Sequence, residues 1–280
     1  MNKVKIVTDS TVDVPQATLQ TYGIEVIPLT FTIGSDTYTD RVDITPQEFM
    51  NKMREASELP KSSQPSVGEF LEVYNRLGED GYDILSIHMA GELSGTVRSA
   101  QHAATLTEAK VTVIDSEFIS LAMGFQVVEA AKWAAEGKNV NEIAERLKEI
   151  RRHTHLYVTV DTLENLVKGG RIGRGKALIG SLLNIKPIAA LMDGFYTPVA
   201  KVRSYSQLIK YLTNRFIEDV SEKTIRTVAI AHADAFELAQ HLKQSIVSAT
   251  GYDDIDIVYT TPVISTHTGP GAIGFMYYAE

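Results

Sequence analysis

Four apolar runs of strand length, "VKIVTDS" (4–10), "IEVIPLTF" (24–31), "YDILSIHMA" (82–90) and "KVTVIDS" (110–116), punctuate the first half of the chain. Three stretches with helical spacing of apolar residues accompany them: "TPQEFMNKMREA" (45–56), "SVGEFLEVYNRLGEDG" (66–81) and "FISLAMGFQVVEAAKWAAEG" (118–137). Strands that alternate with helices demand crossover connections, so the pattern predicts a parallel sheet with right-handed βαβ units. A charge-rich amphipathic helix, "NVNEIAERLKEIRRH" (139–153), leads out of this unit.

The second half reads differently. "HLYVTVDT" (155–162) is a strand, and "KPIAALMDGFYTPVAKVRS" (186–204) carries Asp193-Gly194 between two apolar runs, the signature of a β-hairpin. A helix (205–220), the strand "TVAIAHA" (227–233), a helix (235–250) and the strand "IDIVYTT" (255–261) follow. Strands of mixed direction with helices on one side predict a two-layer α/β unit. The expected division is 1–153 and 154–280, with no repeat relating the halves.

A chain of 280 residues, 44% of them hydrophobic, can bury a full core in each half. With Lys+Arg 27 against Asp+Glu 35, the net charge of -8 argues against a general nucleic-acid or anionic-membrane surface. The absence of cysteine excludes disulfides, thiolate catalysis and Cys–zinc sites. The opening "MNKVKIVTDST" starts as a strand rather than a leader, giving the expectation of a cytoplasmic protein. The uncharged run 257–279 is long enough to span a bilayer, but its prolines, hydroxyls and histidine argue against a membrane span.

In parallel sheets, ligands bind beyond the carboxyl ends of the strands. Two strands end in the same pair, Asp9-Ser10 and Asp115-Ser116. A third runs into "GELSGTVRSA" (91–100), where Ser94 and Thr96 fall at a helix start suited to a carboxylate or phosphate. "SSQPS" (62–66) also precedes a helix, with Ser66 as its N-cap. The most basic run, "VKGGRIGRGKAL" (167–178), fits G-x-x-x-x-G-K. It lacks the following hydroxyl, since residue 177 is alanine, and it follows a helix rather than a strand, so it is not a nucleotide P-loop. What remains is a glycine-rich loop with Arg171, Arg174 and Lys176 that can grip an anion or face a partner. His153 and His155 have no third ligand near them in sequence, which disfavours a metal site. Near the end, "STHTGPGAIGF" (265–275) sets His267 among hydroxyls and glycines, in a segment without charge or an evident helix. Its simplest reading is a loop that enters a last strand.

Together "VTDST", "SSQPS", "LSGTVRSA", "VIDS", "GGRIGRGKA" and "HTGPGAIG" occur in the order and spacing of the DegV family, which the chain resembles along its whole length. That resemblance implies a two-domain DegV-like α/β fold, with a Rossmann-like N-terminal unit and a smaller C-terminal one. It also implies a non-catalytic, fatty-acid-binding (FakB) subunit of the bacterial fatty acid kinase. Such a subunit buries a long-chain fatty acid such as palmitate, stearate or oleate and needs no cofactor. A separate ATP-dependent kinase subunit then phosphorylates the carboxylate for phospholipid synthesis. By resemblance, the carboxylate-binding group is Ser94, Ser62 and His267, with Arg171 close behind; Ser63 can replace Ser62. Thr268, Gly269, Thr96, Asp9, Ser10, Asp115 and Ser116 fall at the expected rim, and Arg174 and Arg203 face the kinase. Apolar residues of "FISLAMGF", "ALIGSLLNI" and "IAALM" are expected to line the acyl channel. Two readings compete: an esterase built on a Ser94–His267–Asp triad, although no G-x-S-x-G elbow exists, and a module that binds a small anion.

Overall fold

A computed structural model describes residues 3–178 and 185–280. The chain opens with β1 (Val4–Asp9), α1 (Gln16–Thr21), β2 (Glu25–Ile27), β3 (Thr30–Ile33), β4 (Asp36–Thr39), α2 (Pro46–Glu55) and β5 (Lys61–Ser63). It continues through α3 (Val67–Glu79), β6 (Asp83–His88), α4 (Thr96–Leu106), β7 (Val111–Asp115), α5 (Ser120–Ala135) and α6 (Val140–His153). The second half comprises β8 (Thr154–Thr159), α7 (Glu164–Lys168), β9 (Lys186–Met192), β10 (Phe195–Val202) and α8 (Tyr205–Val220). It ends with β11 (Ile225–Ala233), α9 (Phe236–Thr250), β12 (Ile255–Tyr259), α10 (Pro262–Thr268) and β13 (Ala272–Ala279).

The expected parallel sheet is present, four strands in the order β2-β1-β6-β7. α3 and α4 seal one face around Phe70, Tyr74, Leu77, Ala100 and Ala103. The starts of α2, α3 and α6 are fixed by capping boxes, Thr45–Glu48, Ser66–Glu69 and Asn139–Glu142.

The run 24–31 is not one strand. Pro28 has no N–H to give a ladder, so the chain leaves the parallel sheet after Ile27. It then starts an antiparallel sheet ordered β4-β3-β5, which pairs Phe31 with Ser62 and Thr30 with Ser63.

The second half forms a six-stranded sheet ordered β10-β9-β8-β13-β11-β12, parallel only at β11/β12. Asp193 and Gly194, both at positive φ, turn the β9–β10 hairpin as expected. α8 and α9 cover the outer face through Leu208, Leu212, Phe216, Leu242 and Ile246. This is the expected two-layer unit with its mixed sheet, and its inner face is closed by α5 and α6 of the first half, which pack against β13. α5 is apolar on nearly all sides and buries residues from Ser120 to Ala131. One flank rests on β1 and the other on β8, β11 and β13, so a single apolar cluster crosses from one half to the other.

The closing segment also departs from the sequence reading. Residues 262–268 form a short helix, α10, started by Pro262 at its first position. It lies at the seam between the halves, against α2, α7, β3 and β5. No helix among the described residues is long and apolar enough to cross a membrane.

Candidate functional site

Four polar side chains from four separate segments meet at this seam. Pairing of β5 with β3 sets Ser62, and α10 brings His267 to it, with Oγ and Nε2 2.6 Å apart. Ser63, the next residue along the extended strand, lines the same cavity without reaching the histidine. Ser94 lies in the β6–α4 loop, nearly buried, with its Oγ 2.9 Å from Thr96 Oγ1 and accepting from Thr96 N at 3.3 Å. Arg171 follows α7 and ties the halves together. Its Nε donates to Leu93 O at 3.1 Å and its Nη1 to Gly169 O at 2.6 Å.

His267 is mostly buried. Loss of water, with the Arg171 guanidinium as a second cause, pushes its imidazole down to about 4. It is therefore neutral at pH 7, and one ring nitrogen donates while the other accepts. Its Nδ1 is buried without a hydrogen-bond partner among the described residues, and so is the Tyr196 hydroxyl. Gly169 is required here because a Cβ would strike the His267 ring.

A cavity of about 300 Å³ opens from this cluster, lined by Leu29, Met89, Leu93, Val158, Leu166 and Ile264 among others. A separate, smaller apolar space of about 30 Å³ lies beside it, sharing Ile119, Val158 and Ile264 and reaching Met276. On the outer side, Ser62, Arg171 and His267 also border a polar cleft of about 560 Å³ with Lys61 and Lys168. The polar cluster thus stands between an apolar interior and a wet exterior. A larger cleft, about 700 Å³, lies elsewhere, and its Arg151 and Arg215 are paired with Glu117 and Asp219.

Of the expected rim, Thr268 lines the cavity and Gly269 follows it at φ 73°. Asp9, Ser10, Thr96, Asp115 and Ser116 do not line it. Asp9 is fully buried, accepting from Thr11 and Met89 N and bonded to His88. Ser10 accepts from Leu29 N. Asp115 accepts from Gly91 N and Glu117 N, and Ser116 shapes the turn to Phe118. These groups fix the loops that carry cavity residues.

The Ser94–His267–Asp triad is not assembled. Ser62, not Ser94, meets the histidine, and no carboxylate among the described residues orients Nδ1. A Ser86–His88–Asp9 series does exist, but all three are fully buried away from the cavity. The G-x-x-x-x-G-K run follows α7 and enters a 3₁₀ turn, Gly173–Leu178, as its rejection as a P-loop requires.

The expected channel residues fare unevenly. Ile119 and Leu191 line the cavity, whereas most of "ALIGSLLNI" lies outside the described residues. The remaining apolar residues of α5 pack between the sheets. Gln64, Leu29, Val158, Leu166, Tyr196 and Ile264 were not foreseen, because their proximity arises only when the halves close.

Across residues 3–280 the sequence matches the family model described as "Uncharacterised protein, DegV family". The chain belongs to the DegV family. A DegV domain-containing protein of Listeria monocytogenes is 43% identical over 281 residues, covering 100% of both chains. The solved structure of a fatty-acid-binding DegV family protein from Thermus thermophilus superposes with a TM-score of 0.94 at 33% identity, covering 100% of both chains. That of DegV from Bacillus subtilis, a fatty acid binding protein, gives 0.91 at 31% identity, also over 100% of both chains. This DegV chain therefore shares the α/β architecture of its relatives along its whole length.

Proposed function

We propose that the protein holds one long-chain fatty acid, such as palmitate, stearate or oleate, and presents its carboxylate to a separate ATP-dependent kinase. The observation that carries this reading is the position of Ser62, Ser94 and His267 at the polar end of an apolar cavity, with an open cleft beyond them. The relatives that bind fatty acids support it. Burial of the acyl chain provides most of the affinity, about 0.8 kcal/mol per CH₂. The carboxylate takes hydrogen bonds from the hydroxyls and the neutral imidazole, and Arg171 supplies the nearby positive charge.

In this reading the units 1–153 and 154–280 close over the lipid in the cytoplasm, and the kinase delivers the ATP γ-phosphate through the outer cleft. The acyl-phosphate formed there enters phospholipid synthesis. Arg174 and Arg203, both exposed, face the kinase; the Arg174 guanidinium sits 4.5 Å from the Phe195 ring centre, outside the cavity lining.

A coupled assay tests the reading with oleate-loaded protein, the kinase subunit and ATP. Arg174→Glu and Arg203→Glu should keep oleate and thermal stability while acyl-phosphate production falls, since rim charges mainly set association. Normal turnover in both variants would leave the surface without this partner. Hydrolysis of acyl esters by the protein alone, abolished in Ser62→Ala, would replace the carrier reading with an esterase.

A further inference from the structure

Helix α10 carries His267 near one end, and the other end is gripped by two carboxylates from the opposite half of the chain. Asp13 Oδ1 accepts from Thr261 N at 3.0 Å, and its Oδ2 accepts from Thr260 Oγ1 at 2.7 Å and Ser120 Oγ at 2.5 Å. Asp40 Oδ1 accepts from Val263 N at 3.2 Å, its Oδ2 is buried without a hydrogen-bond partner among the described residues, and the Ser10 hydroxyl lies beside this carboxylate. Ser10 in turn accepts from the backbone N–H of Leu29, a cavity residue. Both carboxylates are buried, at 6% and 0% exposure.

The surrounding backbone is strained. Asp13, Arg41 and Ser120 adopt φ of 49°, 66° and 58°, a region that non-glycine residues rarely enter. Such conformations persist where the surrounding structure over-determines them, and they concentrate at sites that position something. Here three of them surround the two bonds that fix α10. Burying two carboxylates is unfavourable unless hydrogen bonds compensate, so a plain helix cap would be served at least as well by serine or asparagine.

We propose that Asp13 and Asp40 are positioning residues for the head-group site: they hold α10 by its amino end and thereby keep His267 on Ser62. The proposal rests on the fatty-acid reading above for its effect on lipid, but not for its effect on the histidine. Losing either carboxylate lets α10 shift along the seam, and the 2.6 Å contact between Ser62 and His267 lengthens.

The experiment measures oleate affinity together with the ¹⁵N signals of the His267 ring, assigned with His267→Gln. Asp13→Ala and Asp40→Ala should each weaken oleate binding about tenfold, the scale of a lost cap. Their ring signals should move toward those of Ser62→Ala. Asp13→Asn and Asp40→Asn retain an accepting oxygen and should bind within about threefold of the parent. Asp219→Asn, a change at a nearly buried carboxylate bonded to Tyr157 and Tyr277 instead, should lower stability but move neither readout. If the alanine forms do not fold, Thr260→Val, which removes one bond to Asp13, and Ser10→Ala, which removes the hydroxyl beside Asp40, should shift the ring signals in the same direction. Parent-like oleate affinity and ring signals in folded Asp13→Ala and Asp40→Ala, or in the two substitutes, would overturn the proposal. If the parent itself does not bind oleate, the lipid reading fails, and the ring signals alone decide the clamp.

Discussion

Asp40→Asn should make folding stability less sensitive to pH. Burial, with the neighbouring Asp13 charge as a smaller cause, pushes the Asp40 carboxyl from 3.8 up to about 7, because the Ser10 hydroxyl beside it, the hydrogen bond from Val263 N and the nearby Arg41 do not offset the loss of water. The folded protein thus holds this proton more tightly than the unfolded chain. Asp40 therefore contributes stability that is complete below pH 3.8 and is lost as pH rises through 7. Between about pH 5.5 and about pH 8.5 the unfolded carboxyl stays ionised while the folded one loses its proton. At about 1.36 kcal/mol per pH unit over the span up to 7, the loss is about 2 kcal/mol, or roughly 4–8 °C in Tm for a chain of this size. Asparagine has no such proton to lose. The three histidines with lowered pKa values, His155, His232 and His267, act in the opposite direction, since their stability is lost as pH falls below 6.5. Asp13, raised by burial to about 6, acts in the same direction as Asp40 and lies close enough to couple to it. Both proteins contain these groups, so the difference between the two Tm profiles reports residue 40 together with its coupling to Asp13. Melting curves of parent and variant across this range should diverge in favour of the variant at high pH. Parallel curves, or divergence with the opposite sign, would refute the assignment of a strongly raised pKa to Asp40.

Ser94→Ala should weaken oleate binding by about 1.5–3 kcal/mol, the cost of removing one hydrogen bond to a buried charge, without a change in far-ultraviolet circular dichroism. Unchanged affinity by calorimetry would remove Ser94 from the head-group cluster. Ile264→Trp should fill the space near Met276 and discriminate against long acids, leaving an eight-carbon acid bound with near-parental affinity; equal losses for both lengths would place the acyl tail elsewhere. Gly169→Ala should displace the His267 ring and weaken oleate binding about tenfold, and parental affinity would show that the ring moves at no cost.

The parts of this fold that could be read from sequence are those with local signals. The strand runs at 4–9 and 83–88, the capping box at Ser66 and the turn at Asp193-Gly194 each carry their own pattern within a few residues. β5 and α10 do not, since three and seven residues are too few for a period to register. Pro28 was the available sign that the run 24–31 would break. The apolar excess of α5 was visible, but its destination was not. It fills the space between two sheets rather than lining a channel, and that depends on how the halves close. Ser62, Ser94, His267 and Arg171 were named through family motifs, and the fold brings them to one seam. Gln64 lies within "SSQPS" but was not singled out there, Tyr196 had no motif, and the carboxylates of Asp13 and Asp40 bond a helix more than 220 residues away in sequence.

Native mass spectrometry of protein purified from a bacterial host, followed by the same measurement after denaturation, tests the central claim most directly. The account predicts a folded species heavier than the bare chain by one long-chain fatty acid, released on unfolding and identified in the extract. Loss of that mass should accompany Ile264→Trp. A folded mass equal to that of the bare chain, with no uptake of added oleate or palmitate, would contradict it.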